Sequence, residues 1–476
     1  MGIFTGVMVA LLIVIFHYLL NALGVFFHTQ SLDQIAELTS LETLLTPLFG
    51  ATFLGFVLHF VPPLFRRTGL IHVVVYTQFH KALFQWQNAV VQFFAGAMAL
   101  AVGLSGGREG PAIHIGATSS SLIAQKLMLP PQLIKTAVGC GVAAAISASF
   151  NTPLAGAIFA LEVVLLEYSA ITTIPVVLSA VSGTLVAQLL LGEPAILVNF
   201  ESIKLPIQHL WIIGPLAIIA SIISASLTQL VRFWSNFTTA PIALRFMLAG
   251  LICGVAAWFA PPIMVSSNDS LSFMLQGQLG LAVLLALITA KVIATSAAIG
   301  LGVPIGIVAP CLLLGAACGH LISTVAVQLG WLPNEYSTLI AMAGMAAMMA
   351  VALNAPFAAL LALVEMTFAP TVVLPALTAI ALTWILQRGV LKQPSVLEAL
   401  VESTSGHRLS SNLIADKLEK FGVCHLVNRN LAYHRLEAPI TGHHYQATLE
   451  NGQWQIQRLT ESNQSNLKNS ESLLTS

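Results

Sequence analysis

Charge is what this chain has least of. Only 8% of its 476 residues are Asp, Glu, Lys or Arg, while 57% are apolar; a soluble domain carries roughly 25% charged residues. A water-facing surface cannot be built from so few charges. Neither sign is in excess, because 19 basic residues meet 19 acidic ones, so there is no basic field to hold nucleic acid. The five cysteines (Cys140, Cys253, Cys311, Cys318 and Cys424) form no CxxC pair and have no His partner at zinc spacing. They read as small packing residues, not as a disulfide or metal framework. The 34 Gly and 22 Pro are scattered without a period, which excludes a collagen-like chain. Neither HExxH nor GxGD occurs, which argues against an intramembrane enzyme, and nothing in the sequence asks for a metal or cofactor. What remains is an all-α polytopic membrane protein.

The few charges are unevenly placed: 22 precede residue 391 and 16 fall in the last 86 residues. The expected division is a membrane domain over 1–395, a small polar appendage over 396–460 and a Ser/Asn-rich disordered tail over 461–476. Apolar runs of about 20 residues can span a bilayer; they lie at 4–27, 43–65, 171–191, 208–231, 244–265 and 279–299. The first lacks a basic leader and is too long for a signal peptide core. Further runs, at 90–105, 111–128, 136–150, 153–168, 310–327, 337–351, 356–368 and 370–387, are cut short by Gly and Pro. Broken helices at membrane depth survive only when buried in protein or lining a water-filled cavity, so the breaks point to a site. Arg66, Arg67 and Lys81 read as one short basic loop, cytoplasmic by the positive-inside rule. In the appendage, 412–421 is helix-like, and HYQATLE-NG-QWQIQRL (444–459) reads as a hairpin turning at Asn451-Gly452.

Two segments share a skeleton. Gly107-Arg-Glu-Gly-Pro111 continues to Gly116-Ala117, and Gly306-Ile-Val-Ala-Pro310 continues to Gly315-Ala316, an offset of 199. Downstream, Asn151-Thr-Pro153 precedes Glu162 and Asn354-Ala-Pro356 precedes Glu365, an offset of 203. Generic Gly/Pro punctuation of membrane helices is the bland explanation. Two matched pairs in the same order favour a duplicated transporter, with halves at about 43–191 and 208–390 and a site at their interface.

Pro suits the first turn of a helix, so Pro111 and Pro310 each mark a helix start. Free N–H groups there carry the positive end of the dipole. Two such ends converging at the midplane make an anion site without a buried cation, which holds an anion weakly enough to release it. Glu109 stands where that anion would sit. It can compete as an anion itself and leave when protonated; the plainer reading is a carboxylate that compensates the dipole. Arg108 suits a structural ion pair better than substrate contact. Glu162 and Glu365, matched across the repeat, suit a structural role such as bonding loop amides. Lys291 fits an ion pair or a snorkelling side chain, and His114 a bonded structural histidine.

The stretch GREGPAIHIGA (107–117) resembles the signature of the CLC family of chloride channels and chloride/proton antiporters. SFNTPLAGAIFALE (149–162), GVPIGIVAP (302–310) and AGMAAMMAVALNAPFAALLALVEMT (343–367) are similar to further stretches of that family, over about 40–395. The resemblance implies an inverted-repeat fold of about 17–18 helices. It further implies a homodimer with a pore in each subunit, and cytoplasmic termini in a prokaryotic inner membrane. Glu109 matches the gating glutamate. The backbone amides of Arg108, Glu109, Gly110, Ile307 and Val308 match the anion donors, with Gly107, Pro111 and Pro310 as their structural setting. Thr68 stands near the position of an anion-binding serine.

Departures matter as much. Val308 replaces the phenylalanine of the second motif. Leu397 stands where a tyrosine hydroxyl is common. Val163 follows Glu162 where many antiporters have a proton-transfer glutamate. The tail is too short for paired CBS domains. Glu109 permits proton coupling and Val163 argues against the usual inner route, a balance that leans slightly towards channel-like chloride movement, with chloride/proton exchange through Glu109 as the alternative. A cation-coupled carboxylate carrier is the more distant rival.

Overall fold

The computed structural model describes residues 1–27, 29, 39–67, 69–192, 204–261, 271, 274–275, 280–405, 444–450 and 453–459. Thr68, the 412–421 segment, Asn451-Gly452 and the 461–476 tail lie outside the described residues. The chain divides into two units, Met1–His407 and Arg408–Ser476.

The described part of the first unit holds sixteen α-helices. The first half contains α1 (Gly2–Phe26), α2 (Ser40–His59), α3 (Gly69–Phe79), α4 (Trp86–Ala101), α5 (Glu109–Lys126), α6 (Pro131–Phe150), α7 (Pro153–Phe159, continued by a π-helical turn, Ala160–Leu165) and α8 (Ala170–Leu191). The second contains α9 (Ile213–Ser235), α10 (Ile242–Phe259), α11 (Leu281–Gly300), α12 (Val308–Gln328), α13 (Ser337–Leu353), α14 (Pro356–Thr367), α15 (Val373–Ile385, continued by a π-helical turn, Leu386–Val390) and α16 (Val396–Ser405).

Among the described residues, ten helices are long and apolar enough to cross a membrane. Four of them, Pro131–Phe150, Val308–Gln328, Asn334–Leu353 and Pro370–Val390, correspond to runs that look too short in the sequence. Polar residues extend each beyond its apolar run. The most apolar stretches of α6, α12 and α13 are 72–83% buried, against 33–39% for α1, α2, α8 and α15. Small residues and Met therefore fill a central layer, while Phe49, Phe53 and Phe56 of α2 and Phe60 just after it remain exposed as a lipid-facing stripe. Arg67 and Lys81 do not share a loop: α3 lies between them.

The duplication is visible in the packing. α5 crosses α6 with Gly116 against Gly141, and α12 crosses α13 with Gly315 against Gly344. A side chain at any of these positions would meet the facing backbone, so the helices approach as closely as small residues permit. α6 ends at Asn151 (φ 58°) and α13 at Asn354 (φ 56°), both in the left-handed conformation that asparagine tolerates. A proline two residues later starts the next helix in each half.

α16 packs against α3, α9 and α13, so it belongs with the membrane unit and not with the appendage expected from 396. Its start is closed by Ser395 and Glu398, each bonding the other's backbone N–H at 3.1 Å. In the second unit, β1 (His444–Glu450) pairs antiparallel with β2 (Gln453–Leu459), His444 opposite Leu459 and Glu450 opposite Gln453. This is the hairpin register the sequence suggests.

Candidate functional site

Two helix starts meet where the halves face each other. α5 begins at Glu109 and α12 at Val308, and neither is capped by its own preceding residue, Arg108 or Ile307. The loops before them are pinned by reciprocal backbone bonds. Gly107 N–H donates to Gly306 O at 2.9 Å, and Gly306 N–H to Gly107 O at 2.7 Å. The crossing needs missing side chains. A Cβ on Gly110 would lie 2.7 Å from Gly306 N, and one on Gly107 or Gly306 would run into the Glu109 carboxylate. Buried Gln92 fixes the second loop through Pro304 O at 2.8 Å, and Pro111 packs against Gly96.

Glu109 is 1% exposed. Its Oε1 accepts from Val308 N–H at 2.5 Å and from Ala309 N–H at 3.3 Å, so it caps a helix of the opposite half. Oε2 has no hydrogen-bond partner among the described residues. A carboxylate thus occupies a place built of free amides at the positive end of a dipole, chemistry that suits any small anion. A cavity of about 20 Å³ adjoins it, lined by Ile146, Phe159, Leu312 and Met349 among others. A larger one of about 190 Å³ is lined by His17, Arg108, Ser149, Asn151 and Gln188. Phe150 lines both.

The amides that hold the Glu109 carboxylate are those of Val308 and Ala309, while Ile307 stands at the N-cap. Arg108 makes no ion pair with a carboxylate among the described residues. Its guanidinium donates to Ser149 O at 2.6 Å, lies 3.5 Å from His17 Nδ1 and sits 5.4 Å from the centre of the Phe150 ring. Lys291 does not snorkel; it is buried on α11, in electrostatic range of Glu109 and Cys253. A buried lysine therefore lies near the site, where the sequence reading expected no buried cation. Nothing in the apolar run of α11 signals that.

Glu162 and Glu365 bond backbone amides, and they do so reciprocally. Glu365 accepts from Leu154 and Ala155 N–H at 2.9 and 2.8 Å, and Glu162 from Phe357 and Ala358 N–H at 3.3 and 2.9 Å. Each carboxylate caps the other half's Pro-started helix. Together with the Gly107–Gly306 bridge, these exchanges make a local two-fold between the halves, as an inverted repeat requires. Val163 and Leu397 are buried. His114 is bonded, to His72 at 2.8 Å; the two lie 42 residues apart, with no sequence pattern to join them.

Broken helices, duplicated halves and opposed helix starts around one carboxylate define a membrane protein built for moving small anions. A sequence profile of voltage-gated chloride channels matches residues 50–388, and the chain belongs to this CLC family. The voltage-gated ClC-type chloride channel ClcB of Escherichia coli O9:H4 strain HS is 29% identical over 292 residues, 60% of this chain and 69% of its own. ClcB of strain K12 is 29% identical over 291 residues, with the same coverage. Among solved structures, a slow cyanobacterial Cl−/H+ antiporter superposes with a TM-score of 0.74 at 21% identity, covering 85% of this chain and 97% of that one. A CLC-type fluoride/proton antiporter gives 0.67 at 18% identity, covering 84% and 96%. These likenesses establish the CLC fold.

Proposed function

We propose that this chain moves chloride, or a similar small anion, through a pathway in each subunit of a membrane-embedded homodimer, with Glu109 as the gate. The observation that carries this reading is the Glu109 carboxylate on the Val308 and Ala309 amides. It fills the place of an anion, and an arriving anion competes for the same donors. Amides of Arg108, Glu109, Gly110, Ile307 and Val308, with the Thr68 hydroxyl, are the proposed anion contacts. Gly107, Pro111 and Pro310 hold the two loops. Glu162 and Glu365 hold the halves together. All of these residues come from one chain, which supports a pathway in each subunit. A bacterial cytoplasmic membrane with cytoplasmic termini is the setting we propose.

Val163, apolar and buried, favours channel-like chloride movement. Chloride/proton exchange is the second reading. Its specific support is that Glu109, once protonated, no longer attracts the amides and can leave with its proton. The test is purified protein in chloride-loaded liposomes, with chloride efflux started by valinomycin and external pH followed together. Chloride efflux is expected, and its absence defeats the anion reading. Uptake that depends on sodium would point to the carboxylate carrier.

A further inference from the structure

A second titratable constellation lies along the helix that Glu109 starts. His72 on α3 and His114 on α5 are both buried, and His72 Nδ1 lies 2.8 Å from His114 Nε2, so one ring donates to the other. The rings stack at 23° with centroids 5.1 Å apart, and Phe84 presents its ring against both. Their outer nitrogens, His72 Nε2 and His114 Nδ1, are buried without a hydrogen-bond partner among the described residues. Buried polar atoms are normally satisfied. A pair left open at both ends is poor architecture and a good way to pass a proton.

The pair also has direction. His114 follows Glu109 by five residues on α5, roughly 7.5 Å of axial rise. On the other side, His72, Tyr76 and His80 recur every four residues along one face of α3 and its end. Their ring centroids are 4.2 and 4.6 Å apart in sequence. Exposure rises along this ladder from buried His72 to exposed His80. α3 packs on the π-helical turn that carries Val163, where Gln78 donates to Val164 O at 2.6 Å and Leu165 O at 3.1 Å. Among the described buried residues Glu109 is the only carboxylate.

We propose that the His72–His114 pair is a proton station between Glu109 and the protein face at His80. This rests on the exchange reading above. A proton arrives on His114 Nδ1, the proton on His114 Nε2 crosses to His72 Nδ1, and His72 Nε2 releases its own. One proton enters and one leaves, both rings end neutral, and their tautomers are exchanged until the rings reorient. The titratable and charged groups facing the pair are Arg67 and His80, in electrostatic range of His72, and Tyr76, whose ring is tilted at 57° against it. Lys135 of α6 is bonded to Gln78 further along α3.

The test uses the full chain in the same liposomes, with chloride and pH recorded together. His114→Gln places an amide nitrogen near the former Nε2, and His72→Asn places one near the former Nδ1. Each preserves the contact and removes the relay. Expected is wild-type proton movement against chloride, reduced tenfold or more in either variant, with chloride movement within twofold of wild type. Wild-type coupling in both variants overturns the station and leaves Glu109 untouched. Parallel loss of chloride and proton movement assigns the pair a structural role and also overturns it. Wild-type protein that moves chloride and no protons overturns the station together with the exchange reading, while the gate stands. Glu109→Gln, run alongside, reports on the gate separately.

Discussion

The two halves of the molecule solve the same backbone problem with different side chains. Each breaks a helix at a Gly-x-x-x-Pro loop and aims the next helix start at the interface. The first half places Arg108 and Glu109 in that loop; the second places Ile307, Val308 and Ala309, which offer backbone amides and apolar side chains. Symmetry builds the cradle, and its violation at one residue places a carboxylate in it. Where the halves remain alike, at Glu162 and Glu365, the residues hold structure. Where they differ, at Glu109, the difference is functional in our reading.

The largest test of this contrast removes the asymmetry. Glu109→Gln and Glu109→Ala are expected to alter chloride efflux and abolish any coupled proton movement; both variants matching wild type would defeat the gate. Next, Gly306→Ala puts a methyl group where the carboxylate now lies. Overpacking of about 1–3 kcal/mol should displace Glu109 and change efflux tenfold or more, whereas Gly214→Ala, in open space on α9, should change efflux little. Third, Glu162→Gln and Glu365→Gln should each lower thermal stability in detergent by a similar amount, about 1–2 kcal/mol from the loss of a charge-assisted cap. A clear inequality would mean the halves are not equivalent there. Smallest, Asn151→Ala and Asn354→Ala should each cost about 1 kcal/mol, because alanine strains in the left-handed conformation both residues adopt. Equal shifts in melting temperature would sharpen the match between halves.

Much of this arrangement is legible in the sequence because proline and glycine act locally. Pro111, Pro310, Pro153 and Pro356 start helices, and Asn151 and Asn354 stop them, without reference to distant residues. The capping role of the paired glutamates could be read from their equal spacing. Helix lengths were less legible, since Pro131–Gln132 and the residues near Asn334 extend their helices with polar positions that a hydropathy run omits. Contacts across the interface were not legible at all. Whether Ile307 or Ala309 joins Val308 depends on how two loops 199 residues apart register. Burial of Lys291 and the meeting of His72 with His114 depend on which helix faces turn inward, and the weak amphipathicity of membrane helices leaves that unmarked.

The reciprocal bonding across the interface bears on how such a protein can work. Six hydrogen bonds, from the glycine bridge and the two glutamate caps, tie one half to the other. The two backbone bonds are worth about 0.5–1.5 kcal/mol each and the four to carboxylates about 1.5–3 each, and a rocking motion of one half against the other would strain them together. Swinging a single carboxylate away from Val308 and Ala309 breaks two. The stitching therefore favours a machine whose frame stays still while one side chain acts as its moving part.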